Sequence, residues 1–137
     1  VTIDQKLYSE IGKGFLVLIG ICDEDTKETA DKMVRKLIGM RIFSDENGKT
    51  NLALKDVDGQ LLLVSQFTLY ADCKKGNRPS FVKAGSPQHA NELYEYIIDA
   101  CKKEVPVVKT GVFGAEMEVA LINDGPFTII LDSKDLA

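Results

Sequence analysis

The sequence predicts a mixed α/β (α+β-like) layer fold in a single domain. Three observations carry that expectation. Apolar runs of strand length recur along the chain, among them Phe15–Ile21 and Leu61–Val64. Two other segments place apolar residues at helical spacing, and turn-forming residues join some of the strands tightly. With 137 residues, 45% of them hydrophobic and 28% charged, the chain has the size and composition of one ordinary globular domain with a real core. No repeat, low-complexity tract or interdomain linker interrupts it.

Val1–Asp4 and Leu7–Ile11 read as two short strands around Gln5-Lys6. Gly12-Lys13-Gly14 turns the chain into Phe15–Ile21, a continuous apolar run suited to a buried strand. Asp23-Glu24-Asp25-Thr26 offers an N-cap and acids that match a helix dipole. Ala30, Met33, Val34 and Leu37 then fall on one helical face, and the helix ends near Gly39. Arg41-Ile42-Phe43 is a short strand closed by the turn residues Asp45-Glu46-Asn47-Gly48. Gln60–Tyr70 is the longest strand expected, and its apolar character makes it central. A polar loop, Ala71–Ser80, follows it. A second helix starts after Pro87 and buries Ala90, Leu93, Tyr94 and Ile97, with Ile98 and Cys101 on the same face. Val105–Val108, Glu116–Ile122 and Phe127–Leu131 complete the strands; periodicity leaves their order open.

Several function classes are disfavoured by composition. No apolar run approaches the ~20 residues of a transmembrane helix, and no basic-then-apolar leader opens the chain. A cytoplasmic location is therefore the default expectation. Cys22, Cys73 and Cys101 are odd in number and scattered, without the spacing of a disulfide framework or metal pair. His89 is the single histidine, at what reads as the start of a helix, so no zinc site and no other cofactor is expected. A net charge of −4 argues against broad nucleic-acid binding but not against gripping one RNA end. Positive charge gathers at Arg35, Lys36 and Arg41, and again at Lys74, Lys75 and Arg78; the second group directly follows the central strand.

Two motifs stand out against this background. Leu61–Val64 runs straight into Ser65-Gln66-Phe67-Thr68-Leu69, and Val119–Ile122 into Asn123-Asp124-Gly125-Pro126-Phe127-Thr128. Amides and hydroxyls at the ends of buried strands cost on the order of 1–3 kcal/mol each if left unpaired. The Gly-Pro pair makes a rigid turn and exposes the carbonyls around Gly125; alone it reads as an ordinary turn. Together the motifs offer hydrogen-bonding groups that suit orienting a substrate and stabilising an oxyanion. Thr68 is the one hydroxyl well placed for attack, yet no base stands near it in sequence.

The chain resembles the D-aminoacyl-tRNA deacylase family, whose two motifs, Ser-Gln-X-Thr-Leu and Asn-X-Gly-Pro-X-Thr, both occur here. The resemblance continues through Asp45–Lys49, Lys75–Phe81 and Gly111–Met117 and covers essentially the whole chain. It implies a rolled, barrel-like sheet with two main helices packed outside, in a homodimer; the lack of a long apolar run adds the expectation of no membrane partner. It also implies hydrolysis of the ester bond of D-aminoacyl-tRNA, with Ser65, Gln66, Phe67 and Thr68 lining the ester. Asn123, Gly125 and Pro126 of the other subunit would enter that site in a cis conformation and hold the substrate amino group. Phe113 and Met117 would flank the terminal adenine of the tRNA 3′ end, and Lys75 and Arg78 would meet its phosphates. Two departures from the family pattern are visible: the usual first strand and its arginine are not in this chain, and Gly39 stands where relatives commonly have asparagine.

The physical logic of such a filter is rejection. An L side chain would be driven into fixed backbone while a D side chain points outward, so glycine should pass as well. Two mechanisms stay open, direct attack by Thr68 or a water assisted by the substrate 2′-hydroxyl; the missing base favours the second. Two other functions stay open too: a sister deacylase for small mischarged L-amino acids, and a non-enzymatic nucleic-acid-binding dimer.

Overall fold

In the computed structural model, which describes residues 1–137, seven strands and two helices follow one another along the chain. They are β1 (Thr2–Ile3), β2 (Lys6–Leu7), β3 (Gly14–Ile19), α1 (Lys27–Gly39), β4 (Phe43–Ser44), β5 (Thr50–Leu52), β6 (Gln60–Ser65), α2 (Pro87–Lys102) and β7 (Val108–Thr110). The class is the expected mixed α/β, with two helices and several sheets. β6 lies between β3 and β7 and pairs with both in parallel, while β1–β2 and β4–β5 are small antiparallel hairpins. No helix is long and apolar enough to cross a membrane.

Leu61, Leu62, Leu63 and Val64 of β6 are all buried, which is why the run is apolar without alternation. Parallel neighbours need crossovers. One crossover carries α1, the other α2, and the two helices pack against each other on one face of the sheet. Leu61 and Leu63 face them, in a cluster with Val34, Leu37, Leu93, Tyr94 and Ile97. Leu62 and Val64 point the other way, toward Val1, Leu16, Met117 and Val119. Strand periodicity thus divides the core into two layers.

Both helices begin where the sequence sets them. The Thr26 hydroxyl accepts from the Thr29 N–H, and the Thr29 hydroxyl accepts from the Thr26 N–H, each at 3.2 Å. Ser86 caps α2, and Pro87 takes the first helical position, where its missing N–H is not needed.

The strands depart more from expectation. Leu7–Ile11 forms a strand only at its first residue, because the hairpin turns earlier, at Asp4 and Gln5, both with positive φ. The Val105–Val108 strand is shifted on to Val108–Thr110, and β5 has no counterpart in the sequence reading. The long Gln60–Tyr70 strand ends at Ser65. Beyond it β3 offers one last acceptor, the Ile19 carbonyl for the Gln66 N–H at 2.8 Å, and Phe67–Tyr70 coils into a 3₁₀ turn. Glu116–Ile122 forms one bridge, Thr2 with Glu118, and Phe127–Leu131 forms none. Residues 116–120 still alternate outward and inward as a strand does, but no neighbouring strand supplies a ladder.

Candidate active site

Ser65 closes the ladder with β3, opposite Ile19. At Gln66 the backbone swings out of the strand (φ −144°, ψ 83°) into the 3₁₀ turn Phe67–Tyr70. Gly20 makes room for this turn: a Cβ there would lie 3.0 Å from the Leu69 Cβ and 3.4 Å from the Gln66 carbonyl oxygen. The Gln66 side-chain amide donates to the Thr68 hydroxyl oxygen at 2.5 Å. No carboxylate or imidazole bonds to that hydroxyl. His89 is engaged elsewhere, its Nε2 lying 2.9 Å from the Asp25 carbonyl oxygen. The leading amides of the turn, Phe67 and Thr68, have no partner within it, as at any helix start.

Beneath the strand end, the Leu63 carbonyl accepts from the Tyr94 hydroxyl at 2.6 Å and from the Gly111 N–H at 3.2 Å. Burial pushes the Tyr94 phenol up to about 12, so it stays a neutral donor. Tyr70, at the end of the turn, is raised as well, by burial first and then by the neighbouring Cys22 thiol. Burial also raises that thiol, which makes Cys22 a poor nucleophile.

Phe67 is 55% exposed and meets the edge of Phe81, ring centroids 5.2 Å apart at 74°. This contact ties the polar loop to the strand end. The loop is closed by reciprocal backbone bonds between Asp72 and Ser80 (2.7 and 2.8 Å) and by Lys83 reaching the Asp72 carboxylate at 3.3 Å. The Lys74 N–H bond and Lys83 hold the Asp72 carboxyl below its usual range. Lys75 and Arg78 project from the exposed span between these closures.

Phe113 and Met117 occupy different sides of the sheet. Phe113 tilts against Tyr94, ring centroids 6.2 Å apart, and lines a cavity of about 420 Å³ with Tyr8, Asn91 and Val112. Met117 packs with Leu62 and Val64 on the opposite face. Its sulfur lies so close to Gly111 that a Cβ there would come within 2.5 Å of it.

The second motif is a self-contained turn. Asn123 Oδ1 accepts from the Phe127 N–H and Asn123 Nδ2 donates to the Thr128 hydroxyl oxygen, both at 2.8 Å. Gly125 has φ +131°, in the region that favours glycine, and the Gly125–Pro126 peptide is cis. Residues 121–130 are all exposed, and no hydrogen bond joins this turn to residues 65–68 of the same chain. The structure therefore brings Ser65, Gln66, Phe67 and Thr68 together, with the Lys75–Arg78 loop beside them, and leaves Asn123, Gly125 and Pro126 apart.

Sequence reasoning took Tyr94 for a core residue and missed its hydroxyl. The available signal was that a buried tyrosine on an apolar stripe needs a partner for its O–H. Asp72 as the loop clasp was missed for want of any local motif.

A family profile described as D-Tyr-tRNA(Tyr) deacylase matches residues 1–132. The chain belongs to that family. A D-aminoacyl-tRNA deacylase of Clostridium novyi (strain NT) is 54% identical over 134 residues, covering 98% of this chain and 90% of the relative. One of Thermosipho africanus (strain TCF52B) is 51% identical over the same shares. Among solved structures, a c-Myc DNA unwinding element binding protein superposes with a TM-score of 0.89 at 40% identity, over 96% of this chain and 89% of that one. A probable eukaryotic D-amino acid tRNA deacylase gives 0.62 at 18% identity, over 74% and 75%, and shares the fold.

Proposed function

We propose that this chain hydrolyses the ester bond of D-aminoacyl-tRNA, glycyl-tRNA included, and rejects L-aminoacyl-tRNA. Family membership supports the deacylase activity. The observation that carries the mechanism is the Gln66–Thr68 pair: a threonine hydroxyl held by an amide, with no base to activate it. Such a hydroxyl positions rather than attacks. Water, assisted by the ribose 2′-hydroxyl of the substrate, adds to the ester carbonyl. The acyl–oxygen bond then breaks, and the ribose 3′-oxygen leaves with the proton. The unpartnered backbone amides of Phe67 and Thr68 face the developing oxyanion, where one well-aimed donor contributes on the order of 3–4 kcal/mol.

In this reading two copies form a homodimer, and the carbonyls around Gly125 and Pro126 of one copy hold the substrate amino group in the site of the other. Asn123 keeps that turn in shape. Phe113 receives the terminal adenine, Met117 acts from the other face of the sheet by backing the Gly111–Val112 segment with its sulfur, and Lys75 and Arg78 take the phosphates beside the base. A cytoplasmic location fits a tRNA substrate.

The test compares initial rates of deacylation of D-Tyr-tRNA and L-Tyr-tRNA. The D ester should be hydrolysed at least ~100-fold faster, the scale that steric rejection supplies. Neglect of both esters would overturn the reading in favour of a nucleic-acid-binding dimer, a possibility raised by the likeness to the c-Myc DNA unwinding element binding protein. Preference for a small L-aminoacyl ester would point to the sister deacylase activity instead.

A further inference from the structure

We propose that a second basic surface, formed by Lys32, Arg35, Lys36 and Arg41, docks the phosphate backbone of the tRNA acceptor-arm duplex. The proposal rests on the deacylase reading for the identity of the RNA. Lys32, Arg35 and Lys36 stand three and four residues apart on α1, hence on one helical face. Arg41 joins them across a groove of about 570 Å³ whose sides include Met40, Ile42, Leu136 and Ala137; no Asp or Glu side chain lines it, and the carboxylate of Ala137 pairs with none of the four cations.

In a protein of net charge −4, the four cations would be expected to find carboxylates. None lies within 4.0 Å of them: the ion pairs are Lys55 with Glu104 and Lys83 with Asp72. Asp31 of the same helix is committed to the Tyr96 hydroxyl at 2.7 Å. Arg41 is held in place instead, donating from Nε to the Asn51 carbonyl at 2.8 Å and from its terminal nitrogen to the Asn51 side-chain oxygen. A fixed guanidinium with donors left over is suited to phosphate. The C-terminal dipole of α1 accounts for Lys36 in the last turn, but for neither Lys32 nor Arg41.

Position selects the occupant. α1 leaves the sheet at the end that carries Ser65 and runs back along it, because β3 and β6 are parallel. At 1.5 Å per residue, Lys32 to Lys36 lie roughly 8–14 Å along the helix from that end. An RNA whose single-stranded 3′ end enters at Ser65 carries a phosphate at every nucleotide along that distance, and its duplex begins where the unpaired nucleotides end. Contact with the backbone alone adds affinity without reading sequence, which suits an enzyme that serves many tRNAs.

The triple variant Lys32→Gln/Arg35→Gln/Lys36→Gln would be assayed on D-Tyr-tRNA and on 3′-(D-tyrosyl)adenosine, which has no stem. A control, Lys6→Gln/Lys103→Gln/Lys109→Gln, removes the same charge from other exposed positions. The KM for D-Tyr-tRNA should rise on the order of 10-fold or more with kcat kept, and the log–log salt dependence should flatten by about 2–3. The short ester and the control should behave as wild type. Unchanged KM on D-Tyr-tRNA, or equal loss on both esters, would overturn the proposal. If wild type hydrolyses neither ester, the deacylase reading has failed, yet uncharged tRNA still tests the groove. Its affinity must then fall in the triple variant alone; undiminished binding, or loss only of affinity for phosphatidylserine vesicles, overturns the proposal.

Discussion

At the scale of single residues, the site is set by where polar groups find partners. The Gln66 amide could have gone to solvent; it is spent on the Thr68 hydroxyl, which fixes the rotamers of both across the first turn after β6. A nucleophilic threonine would need the reverse arrangement, a base accepting its proton. Thr68→Ala should therefore slow D-Tyr-tRNA hydrolysis on the order of 10²-fold, the usual loss for one misplaced polar contact in a site, without abolishing it. Quenched-flow sampling should trap no aminoacyl-enzyme in wild type. A covalent D-tyrosyl adduct on Thr68 would assign the attack to the hydroxyl and end the substrate-assisted reading.

At the scale of elements, α2 reaches through the core to hold the end of β6, and the link is the Tyr94 hydroxyl on the Leu63 carbonyl. An unfolded tyrosine loses its proton near pH 10, whereas Tyr94 in the folded chain loses it at about 12. Between these values the unfolded chain has released a proton that the folded chain keeps. Stability from this group is full below pH 10 and falls as the pH rises from 10 to about 12. Denaturant titrations of Tyr94→Phe should show a loss of about 0.5–1.5 kcal/mol at neutral pH, since Leu63 keeps its Gly111 bond, and a shallower decline above pH 10. Equal declines in both proteins would remove Tyr94 from the account. The same residue shows how far the sequence was legible. Its burial followed from helical spacing, as did both helices, whose caps at Thr26 and Ser86 are local chemistry. Its partner did not, because a hydroxyl reaching a carbonyl 31 residues away has no local trace. Strand ends failed for a related reason. Phe67 and Leu69 have the apolar, β-prone character of the strand before them, and only the end of β3 at Ile19 tells the chain to turn. The two motifs could be read as site candidates because polar groups followed apolar runs; that Asn123 closes its own turn and leaves Thr68 alone could not.

At the scale of the whole molecule, the apolar surface is unevenly distributed. Ile122 and Ile130 are 93% and 91% exposed, and Leu121, Phe127 and Ile129 are exposed around the Gly125–Pro126 turn. A contiguous apolar segment of this kind on a folded domain marks an interaction surface. The proposed homodimer covers it and at the same time explains why the turn makes no bond to residues 65–68 of its own chain. An isologous pair places each copy's turn in the other's site, so two sites each draw on both chains. That geometry has a consequence no monomer shares. A Thr68→Arg chain and a Gly125→Arg chain should each be inactive toward D-Tyr-tRNA, one blocking the ester segment and the other the incoming turn. Unfolded and refolded together, they should regain activity, because a mixed pair contains one site in which both contributions are wild type. Sedimentation should show wild type as a dimer and an Ile122→Asp/Ile130→Asp chain as a folded, inactive monomer. Recovery on mixing cannot arise if each chain completes its own site, so its absence, with mixed dimers present by mass, would return the whole site to a single chain.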